Sequence, residues 1–208
     1  SVQDGCNLGC RMCHLTATKQ TSMQESSITD LSTQALYVFD HYKTLIADGK
    51  QEPTERMHFN FMSRGEALNT KMFASHETSY ETLKTLRFLA ETELSMHSTF
   101  LISTIMPKSF EKKSLKDIFK IIHPHIYYSI YSLNPKFRKK WLSNAMSPDL
   151  ALEKLKEWSD FSNGKVKIHH AFIKDENDSE SDVIELCKKL TSFGLYPDFN
   201  IVSYNPFS

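Results

Sequence analysis

Short apolar runs alternate with longer stretches of helical periodicity along the whole chain. Apolar residues dominate positions 57–62, 100–105, 126–131, 166–173 and 199–203, each about the length of one strand. A further strand is expected to end near Gly5. Between the runs, residues 32–47 carry Leu36, Phe39, Tyr42 and Ile46 at helical spacing, and residues 77–93 carry Tyr80, Leu83, Leu86 and Leu89. Shorter helical patterns follow at 114–122, 149–161 and 181–193, with Gly194 placed to end the last helix.

Strands that alternate with helices build βαβ units, because a parallel connection needs a crossover long enough to hold a helix. Six such units fall short of the eight in a closed barrel. The pattern therefore predicts an α/β fold, an incomplete (β/α)6 TIM-like barrel whose parallel sheet carries outer helices. No repeat, low-complexity tract or linker divides residues 1–208, so one domain is expected. The chain opens at Ser1 inside a motif and stops abruptly at Ser208, as a piece of a longer protein would.

Composition acts mainly by exclusion. Hydrophobic residues make up 40% and charged residues 24% of the 208, ordinary for a soluble globular domain. Twenty-five basic residues balance twenty-five acidic ones, so no global field draws the chain to nucleic acid or an anionic membrane. Any polyanion contact must come from a local patch. No stretch approaches the roughly 20 apolar residues of a membrane span, and no signal peptide is apparent. A cytoplasmic location away from membranes is expected.

The cysteines change the picture most. Three of the four lie in Cys6-Asn-Leu-Gly-Cys10-Arg-Met-Cys13. A disulfide framework spreads its cysteines to staple distant loops, whereas crowded thiols suit a reducing compartment and a metal site. Zinc would need His14 as fourth ligand, but adjacent Cys13 and His14 cannot easily reach one tetrahedral ion, and no second ligand pair exists. An electron-carrier cluster would want a fourth cysteine. Cys187 is the sole candidate, and its place between Leu186 and Leu190 in a helical pattern suggests a buried structural thiol. Three thiolates holding an iron–sulfur cluster, with one iron open to a ligand, fit the spacing.

This C-x3-C-x2-C spacing after a first strand resembles the radical S-adenosylmethionine (SAM) superfamily, with Met12 where an aromatic residue is usual. The resemblance implies a [4Fe–4S] cluster on Cys6, Cys10 and Cys13 whose open iron chelates SAM. SAM is then cleaved to a 5′-deoxyadenosyl radical.

Further segments resemble the RlmN/Cfr-type adenosine-C2 RNA methyltransferases. Ser1-Val-Gln-Asp-Gly-Cys6 is similar to that family's approach to the cluster. Phe61-Met-Ser-Arg-Gly65-Glu66-Ala67-Leu68-Asn69 resembles its glycine–glutamate–proline loop, with Ala67 in place of proline. There the loop binds the SAM amine, a task suited to a carboxylate beside a glycine that admits close approach. Ser103-Thr104-Ile105 resembles the Ser-Thr turn of the third strand. Ser129-Ile130-Tyr131, followed by Asn134 and Arg138, resembles a Ser-Leu-His strand end, with Tyr131 replacing histidine. Asn177-Asp178 matches an Asn-Asp pair, and the segment ending Asn205-Pro206-Phe207 resembles the last strand, whose asparagine contacts SAM. The resemblance thus implies cofactor contacts from Gly65, Glu66, Ser103, Ser129, Ile130, Tyr131 and Asn205.

It also implies methylation of adenosine C2 in ribosomal or transfer RNA through a methyl-carrying cysteine expected beyond Ser208. A flavodoxin or ferredoxin would donate electrons, and the protein would be a monomer. The local feature best suited to RNA is Lys136-Phe137-Arg138-Lys139-Lys140-Trp141, which mixes cations for phosphate with aromatics that can stack on bases. A solvated basic helix turn explains the same residues as well. His123, His125, His169 and His170 are expected to be structural or surface residues. The alternatives are a radical SAM enzyme acting on a peptide or another nucleoside, and a non-catalytic, metal-stabilised RNA-binding module.

Overall fold

The computed structural model describes residues 1–62 and 64–204. Five strands form one sheet: β1 (Arg56–Phe61), β2 (His97–Thr104), β3 (His125–Ser129), β4 (Val166–Phe172) and β5 (Asp198–Ser203). All neighbours are parallel and the spatial order is the chain order, β1-β2-β3-β4-β5. Seven α-helices accompany them: α1 (His14–Ala17), α2 (Ile28–Ala47), α3 (His76–Leu94), α4 (Leu115–Ile118), α5 (Pro135–Trp141), α6 (Pro148–Phe161) and α7 (Glu180–Ser192).

Right-handed crossovers between strands taken in sequence place every connecting helix on the same face of the sheet. The side chains agree. Phe59, Phe61, Phe100, Ile102, Ile126, Tyr128 and Ile168 point to the helix side and join Leu83, Leu86, Leu115, Leu152, Trp158 and Leu186 in one core. Phe59 stacks on Phe100 at 5.4 Å between centroids, and Phe61 meets Phe73 edge-on at 5.1 Å. Each such aromatic contributes about 1.5–3 kcal/mol on leaving water. The opposite, concave face is polar: the registers Ser103↔Tyr127, Ser129↔His169 and His169↔Asn200 put those side chains on one wall. One-sided helix cover and consecutive strand order make this an incomplete TIM-like barrel, as the pattern predicts.

Helix starts are written in the sequence. Ser27 and Asp30 form a reciprocal capping box on α2, and Ser75, Asn134, Ser147 and Ser179 cap α3, α5, α6 and α7. Each such cap stabilises its helix by about 1 kcal/mol. The box moves the start of α2 four residues ahead of the periodic stretch, and its buried stripe is Leu31, Ala35 and Phe39, while Leu36 is partly exposed. Gly194 follows α7 in the left-handed conformation expected of it.

Two expected elements differ. The strand expected before Gly5 is not part of the sheet among the described residues. Its backbone is engaged by residues 24–26 instead: Gln3 bridges Glu25 antiparallel, Asp4 N donates to Gln24 O and Ser26 N to Val2 O. The sheet therefore has five strands, not six. The pattern at 114–122 yields only Leu115–Ile118, because Phe119 leaves helical geometry to bury its ring against Phe73 and Trp158. No helix among the described residues is long and apolar enough to cross a membrane.

Candidate active site

The segment between Gly5 and α1 has little regular structure and takes its shape from distant partners. Cys6 N donates to Gln20 O at 3.0 Å, and Cys13 N donates to Cys10 O at 2.9 Å, closing the turn between the last two cysteines. Cys13 is the residue from which α1 starts, its carbonyl accepting from Ala17 N at 3.1 Å. From the far side, Trp141 O accepts from Arg11 N at 3.0 Å, and Asn144 Nδ2 donates to Leu8 O at 2.9 Å. The Arg11 guanidinium lies 5.4 Å from the centre of the Trp141 ring.

A second loop, after β1, is tied to the same segment. Arg64 donates to Asp4 O through Nε and Nη2 and bonds Gln20 Oε1 as well. Gln3, 2% exposed, accepts the backbone N–H of Glu66 on its Oε1 at 3.0 Å. Gly65 has φ +103°, and a Cβ there would lie 2.8 Å from the Gln3 Cβ. Both the backbone angle and the close approach require glycine.

Glu66 is buried at the start of a 3-10 turn, Ala67–Asn69. Its carboxylate accepts from Leu68 N at 3.3 Å on one oxygen and from Ile105 N at 3.1 Å on the other, joining the β1 loop to the end of β2. Burial pushes its pKa up to about 7, against the opposing hydrogen bonds from Thr104, Ile105 and Leu68. Burial also raises the Cys6 thiol, and pushes Cys10 up to about 12, with the Glu66 carboxylate and the neighbouring thiols adding smaller increments.

Cys6, Cys10, Cys13, Gly65, Glu66, Ser103, Ser129 and Tyr131 line one cleft of ≈ 430 Å³ at the C-terminal ends of β1, β2 and β3. That end is where parallel barrels assemble their sites. Of the other expected cofactor contacts, Ile130 is not in the cleft: its side chain is fully buried in the helix-side core. Asn205 lies outside the described residues. All four cysteines are free, and Cys187 is exposed on α7, so the expectation of a buried structural thiol there is corrected.

Among the described residues no three His, Cys, Asp or Glu side chains are grouped to hold a metal ion. A four-iron cluster spans more space than a single ion and sets its thiolates further apart. Two observations suit such a guest with a polar organic ligand beside it. Three thiols face one cleft with no disulfide among them, and the Ser103 Oγ is buried there with no hydrogen-bond partner among the described residues. A buried hydroxyl left unpaired costs about 1–3 kcal/mol unless a ligand or water satisfies it.

The crystal structure of a radical SAM methyltransferase from Sphaerobacter thermophilus superposes on 99% of this chain and 55% of that one, with a TM-score of 0.70 and 17% identity. The chain shares the fold of that structure. The chain spans about half the length of that solved structure. No protein-family model and no curated protein matches the sequence.

Within this fold the basic segment after β3 does not behave as a free nucleic-acid surface. Phe137 and Trp141 are buried and stacked on one another at 5.9 Å, Trp141 Nε1 donates to Glu176, and Lys140 pairs with the same carboxylate. Arg138 is buried and spends its guanidinium on the carbonyls of Ile130, Ser132 and Met146. Lys136 and Lys139 remain exposed. Gln3, Asn144 and Trp141, which hold the cysteine segment, were not legible as site residues, because their partners are backbone groups far away in sequence. Gln3 meets the N–H of Glu66 across 63 positions of chain, which no local pattern records. The Gly-Glu pair at 65–66 was the visible half of that contact.

Proposed function

We propose that this chain is the core of a radical SAM enzyme, in which Cys6, Cys10 and Cys13 hold a [4Fe–4S] cluster and SAM occupies the adjoining part of the cleft. The observation that carries the proposal is the shared lining. Three thiols, a buried carboxylate and two serine hydroxyls from separate strand ends face one ≈ 430 Å³ space. When bound, cluster and SAM together supply a carbon radical that can take hydrogen from an unactivated carbon. The chain's own groups bind and orient. Glu66 offers carboxylate oxygens, each still with acceptor capacity, to the SAM ammonium. The cation in turn favours the charged form that burial disfavours. Gly65 lets the ligand approach the backbone, Ser103 supplies an unspent hydroxyl, and Ser129 a second one. Ile130 and Asn205 are assigned to SAM by resemblance alone.

The finer reading is methyl transfer to adenosine C2 in ribosomal or transfer RNA, with a flavodoxin or ferredoxin as electron donor, in the cytoplasm. It is supported by the ordered run of segments similar to the RlmN/Cfr-type enzymes and by a methyltransferase as structural neighbour. The burial of Phe137, Arg138 and Trp141 favours an RNA contact elsewhere than the α5 segment.

The test is anaerobic reconstitution of the full-length protein with iron and sulfide, followed by SAM, a reductant and bulk unmodified RNA. Mass spectrometry then follows 5′-deoxyadenosine and methylated adenosine. Both products support the full reading. 5′-Deoxyadenosine alone retains the radical SAM core and rejects the RNA substrate offered, and neither product from a cluster-loaded protein rejects the core itself.

A further inference from the structure

Three consecutive carbonyls at the exit of β3 are held by two buried side chains. Arg138 Nη1 donates to Ile130 O at 3.0 Å and to Ser132 O at 3.3 Å, and its Nη2 donates to Met146 O at 2.7 Å. The carbonyl between them, Tyr131 O, accepts from Asn177 Nδ2 at 2.8 Å. Asn177 is wholly buried and is itself fixed twice more, donating to Ala171 O at 2.9 Å and accepting from Ile173 N at 2.6 Å. Ser132 N donates to Ile130 O at 2.7 Å, closing a three-residue turn around Tyr131.

Tyr131 sits at φ +55°, in the left-handed region. A bulky residue there costs about 1–3 kcal/mol and persists only where its surroundings over-determine it. A guanidinium buried against carbonyls, with no carboxylate partner among the described residues, is likewise expensive to keep. Both costs are spent on one backbone position, and what that position controls is the direction of the Tyr131 ring.

The ring stands in the cleft that Cys10 and Cys13 line. It packs on the same apolar patch of Phe137, Trp141, Leu142, Ala145 and Ile173 that carries Cys10 and Met12. His169 and His170 bracket it at 6.2 and 6.3 Å between ring centres. Ser129 lines the same cleft beside it.

We infer that Tyr131, clamped by Arg138 and Asn177, is a positioning residue for the cysteine site and donates its hydroxyl proton to the sulfur of Cys10 or Cys13. The inference rests on the cluster reading above and deepens it. Resemblance places position 131 against SAM, whereas the clamp holds its ring in the cleft that Cys10 and Cys13 line and on the patch that carries Cys10. Hydrogen bonds to ligating sulfur raise the reduction potential of an iron–sulfur cluster. The phenol would therefore make the cluster easier to reduce.

The experiment compares reconstituted full-length protein with its Tyr131→Phe and Asn177→Ala variants by redox titration followed by electron paramagnetic resonance, with iron and sulfide counted in each. The expected result is a more negative midpoint potential in Tyr131→Phe at unchanged iron and sulfide content. Asn177→Ala, which frees the ring, should shift the same way. An unchanged potential in Tyr131→Phe at full cluster content overturns the inference, as does a Tyr131→Phe protein that folds but takes up no cluster. An Asn177→Ala potential equal to wild type overturns the clamp. Failure of the wild-type protein to take up iron and sulfide sinks the cluster reading itself, which the wild-type control separates from the other outcomes.

Discussion

Gln3 fills the space that a side chain on Gly65 would need, and in the same contact its amide oxygen receives the N–H of Glu66. One residue thus enforces a glycine and aligns the carboxylate that follows it. Gly65→Ala is expected to lose about 1–3 kcal/mol of stability from the positive φ alone, with the collision added. Gln3→Gly, which removes the Cβ as well as the amide, should relieve only the collision. The double variant is therefore expected to be less destabilised than the sum of the singles, a coupling that denaturant midpoints measure directly.

His170 gives a pH dependence of stability with a definite sign. Its two ring nitrogens are buried without partners among the described residues, between Tyr131 and Phe172. Burial, assisted by His169, holds its pKa below the ordinary 6.5. The unfolded chain binds the proton more readily, so the stability from a neutral His170 is present above pH 6.5 and is lost as pH falls through the lowered value. His170→Phe should flatten the fall in unfolding free energy between about pH 7 and pH 5. A variant curve parallel to wild type over that range would sink the assignment.

Arg138 separates the basic-surface reading from the structural one. Replacement by methionine removes a buried cation and the hydrogen bonds it gives to the carbonyls of Ile130, Ser132 and Met146. A loss of about 3 kcal/mol is expected, the scale for breaking a buried charged hydrogen-bond set. Were Arg138 instead a phosphate contact on a solvated helix, the change would fall within about 0.5 kcal/mol. Thermal or urea unfolding distinguishes the two.

The apolar runs located all five strands, because a strand buried on its helix side cannot hide its apolar residues. Expected and observed limits differ by no more than three residues at either end. The Gly-Glu pair and the three cysteines were legible for a related reason, since their spacing along the chain survives into the cleft. Tyr131 was legible as a position but not as a conformation. Its left-handed backbone is imposed by Arg138 and Asn177, and no local pattern records which side chain will reach which carbonyl. Lys136–Trp141 stayed open for the same cause: aromatic and basic residues at that spacing suit a nucleic acid or a solvated helix turn equally, and neither reading foresaw the burial of Phe137, Arg138 and Trp141.

Cys10 and Cys187 should part company on metal loading. Cys10→Ala is expected to abolish stoichiometric uptake of iron and sulfide, and Cys187→Ala, exposed on α7, to leave it unchanged. Elemental analysis with the visible absorption of the loaded protein reads both. Retention of the full complement by Cys10→Ala would remove that thiol from the ligand set.

Glu66→Gln keeps shape and hydrogen-bonding size while removing charge. Loss of a charge-assisted hydrogen bond of about 1.5–3 kcal/mol predicts SAM binding weaker by about ten- to a hundredfold. Calorimetric titration of cluster-loaded protein measures it, and an unchanged Kd would place the SAM ammonium elsewhere.

Apart from the turn between Cys10 and Cys13, the segment bearing Cys6, Cys10 and Cys13 is fastened to Gln20, Trp141 and Asn144. That one turn does not bring Cys6 to the other two thiols. The three come into register only after the β1 loop, α5 and the turn behind it have docked, so on the cluster reading proposed above iron capture is a late event in assembly and a gauge of the finished tertiary structure. A variant altered far from the cysteines that no longer binds iron has thereby reported a fault in the scaffold, not in its ligands.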